Sequence, residues 1–308
     1  MRLLTAIDRP LSPARVVPSD RPLLRIGAVQ ERWHPDPIEH RAVLTEGVRI
    51  AAGTGAAVVC LQELTLSPYF AVVSEGPEAT GVEPERLPGG PTHEFAAGLA
   101  GELGIHVHAS LYEAPGDDAG GLGFNTAICV APDGTLVGRT RKLHIPQGAG
   151  YHEDHFFRPG NTGYPVVSVA GAEVGFPTCW DQWFPELARS YSLAGAEVLV
   201  FPTAIGSEPE LPGFDTQPLW QQVIVGNGIA NALFMVVVNR TGVETPLTFY
   251  GSSFISDPYG RILVQAPRHE PAVLVADLDL DQRRDWLRLF QFLTTRRPDT
   301  YGSLTSAD

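Results

Sequence analysis

Sulfur is scarce in this sequence: its 308 residues include three cysteines, Cys60, Cys129 and Cys179, and two methionines. An odd cysteine count with no CxxC pair argues against a disulfide framework and a zinc knuckle, and points to a reduced, cytoplasmic protein. Basic residues are also in deficit. Lys and Arg number 22 against 35 Asp and Glu, a net charge of −13, and an acidic surface of that kind repels phosphate and excludes a general nucleic-acid binder. Long hydrophobic runs are missing. The longest clean one, Ala232 to Val238, has seven residues, whereas a membrane-spanning helix needs about 20. Near the N-terminus only Leu3 to Ile7 is apolar before Asp8, short of the roughly 7–15 residues of a secretory h-region.

What is present is a globular chain. Its 44% hydrophobic content supplies a sizeable core, and its 32 Gly and 27 Pro follow no triplet period, so they signal many turns. Residues 1–22 mix Pro, Arg and Ser without periodicity and read as an extended N-terminal arm. Residues 23–308 contain no linker, repeat or low-complexity tract and read as one domain.

Short β-type runs alternate with helical stretches along that body. Leu23 to Val29, Ala56 to Leu61, Ile105 to Leu111 and Phe124 to Val130 read as strands, and Pro132-Asp133-Gly134 turns into a further strand from Thr135 to Thr140. Leu44, Val48 and Ala51 share one face of a helix over Pro37 to Ala52, and a second helix spans Thr92 to Leu103. In the second half, strands are expected at 166–169, 173–176, 197–201, 233–238, 252–256, 261–264 and 272–278, with helices over 184–194 and 219–232. Several runs, such as AAVVCL, are apolar throughout, the pattern of strands covered on both faces. Hairpins mixed with crossover helices imply a mixed sheet, or two sheets, covered by helices, an α/β fold.

Three polar residues stand at the ends of buried-looking strands, where open α/β sheets place their sites. Glu63 ends AAVVCLQE, Lys142 ends TLVGRTRK, and Cys179 ends AEVGFPTC just before WDQWFPELARS. A cysteine on a strand-to-helix turn points its sulfur into a cleft, and the helix N-terminus favours its thiolate. Cys60 and Cys129, inside strands, read instead as small buried hydrophobes. A carboxylate beside a thiol in a partly dry cleft has a raised pKa and can accept the thiol proton. A lysine between them would hold the ion network and stabilise an oxyanion, with the Trp180 N–H as the natural second donor. His144, His152 and His155 lie close in sequence, but two of them sit in a Gly-rich loop, a poor set for a metal, so no metal is expected.

Together with their flanking words these residues are specific. LQELTLSPYF, RKLHIP…GYHEDHFFRPG and CWDQWFPELAR resemble the nitrilase superfamily of carbon–nitrogen hydrolases, from about Leu23 to about Tyr301, and look most like its N-carbamoylputrescine amidase branch. The resemblance implies a nitrilase-like αββα sandwich pairing into an αββα–αββα homodimer, no cofactor, and a small-molecule substrate. It places Glu63, Lys142 and Cys179 on the family's Glu–Lys–Cys triad and matches Glu153 to its second active-site glutamate. The chemistry implied is hydrolysis of a carbamoyl amine or linear amide through a thioester; the alternatives are an N-carbamoyl amino acid amidohydrolase, an ω-amidase, a nitrilase, or an idle member acting as a binding protein. Tyr69, His144, Asp181 and Trp183 are the substrate-binding candidates. The four residues after Cys179 include no Arg to hold a substrate carboxylate, and Asp181 suits an ammonium or neutral tail, or else caps the helix that follows. The loop 208–220 and the residues His152 and Asp154 depart from that branch's pattern.

Overall fold

A computed structural model describes residues 1–116 and 121–306. Two sheets form its centre. The first takes β1 (Arg2–Ala6), β2 (Leu24–Gln30), β3 (Val58–Cys60), β4 (His106–Glu113), β5 (Phe124–Val130), β6 (Leu136–Arg141) and, from the far end of the chain, β15 (Ala272–Leu278), in the order β1-β15-β2-β3-β4-β5-β6. The second takes β7 (Val166–Val169), β8 (Ala172–Gly175), β9 (Val198–Thr203), β10 (Phe234–Asn239), β13 (Phe254–Ser256) and β14 (Ile262–Gln265), in the order β14-β13-β10-β9-β8-β7. A separate hairpin, β11 (Thr241–Glu244) with β12 (Leu247–Tyr250), lies between β10 and β13 in sequence. Both sheets are mixed: β2 runs parallel to β3 and antiparallel to β15, and β10 runs parallel to β9 and antiparallel to β13.

Side-chain alternation along the strands decides what each face covers. On β15, Ala272, Leu274, Ala276 and Leu278 enter the core between the sheets, while Val273 and Val275 face outward to helices. On β10, Phe234, Val236 and Val238 point to the other sheet, and Met235 and Val237 point away from it. The outward face of the first sheet is covered by α1 (Pro37–Gly53) and, beyond the short α2 (Pro77–Thr80), by α3 (Pro91–Leu103). That of the second is covered by α4 (Pro185–Leu193) and α5 (Gln217–Asn231). The result is four layers, helix, sheet, sheet, helix, as the sequence words imply. Gly27 permits close packing of α1 on β2, since a Cβ there would meet the Ala51 Cβ at 2.8 Å.

Three elements go beyond the sequence reading. Arg2–Ala6 pairs in parallel with β15. The rest of the first 22 residues runs against α6 (Asp281–Leu289), where Arg15 pairs with Asp279 and Asp285 and Ser19 donates to Asp281. The hairpin β11–β12 packs Leu247 and Phe249 with Leu64, Tyr69 and Phe70, beside the loop that carries Glu63.

One polar side chain is sealed between the sheets. His108 of β4 is fully buried, stacks on Phe176 with ring centroids 5.2 Å apart, and neither ring nitrogen has a partner. Burial lowers its pKa from 6.5 to about 3. The folded protein therefore keeps it neutral where the unfolded chain takes up a proton. Its contribution is fully retained above about pH 6.5 and declines as pH falls toward the folded value. Replacing His108 by Phe should remove up to about 1.4 kcal/mol per pH unit from the acid-side loss of stability. Urea unfolding at a series of pH values between 6 and 4 checks this.

Candidate active site

The strand ends deliver the chemistry. Just past β3, Glu63 lies at the start of a turn in which Leu64 adopts a φ of 48°. Lys142 directly follows β6, and its N–H bonds the Asn125 carbonyl at 2.8 Å. Both come from the first sheet. Cys179 comes from the second: after β8 the chain runs through Phe176-Pro177-Thr178 into one tight helical turn, Cys179–Trp183, with a φ of 38° at Cys179. A left-handed conformation at a residue with a side chain is strained, and such strain is concentrated at functional turns.

Lys142 lies between the two carboxylates. Its Nζ is 2.7 and 2.8 Å from the oxygens of Glu153 and 3.0 Å from Oε1 of Glu63, and all three side chains are completely buried. Asn125 donates to Glu63 at 2.7 Å, and the Tyr69 hydroxyl donates to Glu153 at 2.6 Å. Both Glu153 oxygens are thus engaged, whereas Oε2 of Glu63 has no hydrogen-bonded partner. Burial raises the pKa of Glu63, and Lys142 offsets part of that rise. The attraction of both glutamates overcomes the desolvation of Lys142 and holds its pKa above the ordinary lysine value.

Burial and the neighbouring charge of Glu63 raise the pKa of Cys179 well above the usual thiol value. This corrects the expectation of a resting thiolate favoured by a helix N-terminus. α4 begins only at Pro185, and the lone turn at Cys179 does not offset desolvation and two adjacent carboxylates. Cys179 is therefore a thiol whose pKa is raised, with the Glu63 carboxylate close by.

Cys179, Glu153, Trp180 and Trp183 border a cavity of about 440 Å³. Tyr151, Ile205, Glu208, Glu210, Leu211 and Phe214 also line it, and no Lys or Arg does among the described residues. The other substrate-binding candidates stand elsewhere. Asp181 is turned inward: Oδ1 accepts from the His144 N–H and faces His144 Nδ1 at 2.7 Å, and Oδ2 accepts from the Thr178 N–H. By accepting from the Thr178 N–H it caps the Cys179 turn, so capping, rather than a substrate contact, accounts for this acid. His144 stacks on Phe184 at 3.6 Å and does not line the cavity. Tyr69 is behind Glu153 rather than on the wall. Among the described residues no group of three or more His, Cys, Asp or Glu is arranged to hold a metal.

Sequence reasoning missed Asn125; it singled out the loop holding Glu208 and Glu210 as a departure at the pocket mouth without giving either acid a role. Asn125 had a signal, a lone amide near the start of the apolar strand FNTAICV. It also missed the pins on the Cys179 turn, where Gln182 donates to Thr203 and accepts from Trp220 Nε1, each at 2.8 Å.

A buried thiol with a carboxylate and an ammonium close by, opening on a small cavity, is an arrangement suited to a hydrolase in which sulfur is the attacking atom. The family model described as Carbon-nitrogen hydrolase matches residues 25–288, and the chain belongs to that family. It is 38% identical over 294 residues to an N-carbamoylputrescine amidase from Solanum lycopersicum, covering 93% of this chain and 96% of that protein. It is 35% identical to a citrullinase from Francisella tularensis, covering 91% and 98%. A carbon-nitrogen hydrolase from Helicobacter pylori G27 superposes with a TM-score of 0.79 at 31% identity, over 92% of this chain and 99% of that one.

Brief iodoacetamide treatment of the native protein should place a single adduct, on Cys179. Burial raises the pKa of all three thiols, but Cys60 and Cys129 are sealed in strands with no exposure, whereas Cys179 retains 6% exposure at the cavity. Peptide mass spectrometry reads the outcome, and labelling of Cys60 or Cys129 at an equal rate would contradict it.

Proposed function

We infer that the protein hydrolyses the carbon–nitrogen bond of a small N-carbamoyl amine with an ammonium tail, similar to N-carbamoylputrescine. The observation that carries this reading is a buried Glu63–Lys142–Glu153 cluster next to a cavity that Cys179 and Glu153 border, whose wall includes Glu208 and Glu210 but, among the described residues, no Lys or Arg. The amidase and citrullinase names of the relatives agree with a ureido substrate.

The steps follow from the groups present. As the Cys179 sulfur attacks the carbamoyl carbon, its proton passes to Glu63, whose Oε2 is unengaged. Negative charge forms on the carbonyl oxygen, where Lys142 Nζ and the Trp180 N–H are the donors. The tetrahedral species collapses when Glu63 returns the proton to the leaving nitrogen, releasing ammonia or amine and leaving an acyl thioester on sulfur. Glu63 then draws a proton from water as the water oxygen attacks the thioester carbon; the C–S bond breaks, that proton passes to the departing sulfur to restore the thiol, and the acyl group leaves as its acid, a carbamic or carboxylic acid. Glu153, with both oxygens bound, holds Lys142 in place rather than exchanging protons.

Tail recognition follows from charge. An ammonium at the far end of the substrate meets Glu208 and Glu210, with Trp180 and Trp183 adding cation–π attraction. A carboxylate in the same place meets acids and no counter-charge, which disfavours ureidopropionate and penalises the carboxylate of citrulline.

Replacing Cys179 by Ala should abolish ammonia release, and Glu63→Gln should lower kcat by about 10²–10⁴-fold. Because Glu63 must be ionised to act and its pKa is raised, kcat/KM should fall on acidification through a pH above 4.5, the ordinary carboxylate value. In a panel of N-carbamoylputrescine, citrulline, ureidopropionate, ω-amides and nitriles, kcat/KM should be highest for the first. Glu208→Gln should raise KM for it with little change in kcat. Preference for ureidopropionate would overturn the assignment of the tail, and full turnover by the Cys179→Ala variant would overturn the mechanism.

A further inference from the structure

An ion pair outside the cavity joins the two sheets at the site. Arg240 directly follows β10, on the second sheet, and its side chain is completely buried. Its Nη2 donates to three carbonyls of the loop after β3: Glu63 at 2.7 Å, Leu64 at 3.2 Å and Ser67 at 3.3 Å. Its Nη1 donates to Glu244 Oε1 at 2.6 Å, and Glu244 Oε2 accepts from the Tyr69 N–H at 2.7 Å. Phe249 of β12 packs against Arg240 and Tyr69, its ring centre 5.5 Å from the guanidinium carbon and 5.7 Å from the centre of the Tyr69 ring.

We propose that Arg240 and Glu244 are positioning residues that hold both site carboxylates, Glu63 through its own backbone and Glu153 through Tyr69, at the distance from Cys179 that proton transfer needs. The proposal rests on the amidohydrolase reading above. Glu63 and Cys179 come from different sheets, so their separation is set wherever the sheets are tied together near the site. The loop after Glu63 contains a left-handed Leu64, and carbonyls turned out by that strain converge on one guanidinium. A planar fork can serve several carbonyls and a carboxylate at once, whereas an ammonium on a flexible stem cannot hold the same set. Glu244 fixes the fork and, through the Tyr69 N–H, the ring whose hydroxyl meets Glu153.

The variants are Arg240→Lys, which keeps the charge but not the fork, and Glu244→Gln, which keeps an acceptor for the Tyr69 N–H but not the ion pair. Each should lower kcat about 100-fold, the cost of an ångström-scale misplacement, while KM for N-carbamoylputrescine changes by no more than about threefold. The pH midpoint for iodoacetamide alkylation of Cys179 should move down, because the negative charge of Glu63 that keeps the thiol protonated has drifted away. A thiol that ionises more easily in a slower enzyme is the signature sought. If folded variants keep the wild-type kcat and alkylation midpoint, the proposal is wrong. It is equally wrong if only thermal stability falls. Should Arg240→Lys fail to fold, Glu244→Gln decides. The alkylation midpoint needs no substrate, so it tests the clamp even if Cys179→Ala retains turnover and the amidohydrolase reading fails.

Discussion

A lysine ammonium buried between two carboxylates organises this molecule. Removing three charged groups from water costs several kcal/mol for each ion unless their mutual attraction and hydrogen bonds replace the lost hydration. Here Lys142 engages three carboxylate oxygens, and Asn125 and Tyr69 serve the same pair of carboxylates. Burial first, and the charge of Glu63 second, lift the pKa of the adjacent thiol above its usual value. Glu63 is also the carboxylate of the cluster with an oxygen that has no hydrogen-bonded partner. The same arrangement that stabilises the buried charges thus also shifts the pKa values of Glu63 and Cys179 upward.

The cluster fixes a spatial requirement as well. Two of its members leave the first sheet and the nucleophile leaves the second, so the distance that matters for chemistry spans the sandwich. Sheet-on-sheet packing through β2, β15, β9 and β10 gives a stiff spacer, because a close-packed interior shifts in discrete steps rather than continuously. Close to the site the ties are polar. Asn239 bonds the Ile205 N–H, the Ile205 carbonyl and the Gly251 carbonyl, and the next residue, Arg240, reaches over to the Glu63 loop. Core packing sets the coarse spacing, and these polar links refine it.

Much of this was legible in the sequence, for a physical reason. Strands covered on both faces must be apolar throughout, so AAVVCL and ALFMVVV announced themselves, and a polar residue closing such a run is conspicuous, as Glu63, Lys142 and Cys179 were. The missed elements lack that signature. α6, read from DQRRDWLRL, offers hardly any apolar stripe. Its place is fixed by Arg283 donating to the Ser192, Asn231 and Ala232 carbonyls, and by Asp281 and Asp285 receiving the N-terminal arm. The β11–β12 hairpin, TGVETPLTFY, mixes Thr, Gly and Pro with too few apolar positions to show a period. Asp181 allowed two readings because only the direction of its side chain separates a cap from a substrate contact. The strand order was beyond reach because β15 joins β1 and β2 across nearly the whole chain.

The cavity's charge also constrains the substrate. A surface with a net charge of −13 draws cations toward the protein at long range, with a strength that falls as salt is added. Close in, Glu208 and Glu210 put the same negative sign on the cavity wall. At the reacting end the requirement reverses, since the carbonyl oxygen gains negative charge and needs Lys142. A molecule with a neutral ureido group at one end and an ammonium at the other satisfies both ends at once. Reversing its orientation would place the ammonium against Lys142 and leave the acids unpaired. On the proposed reading, the acids on the cavity wall and the ammonium of Lys142 behind it decide which end of the substrate reaches the sulfur, before any detail of shape is considered.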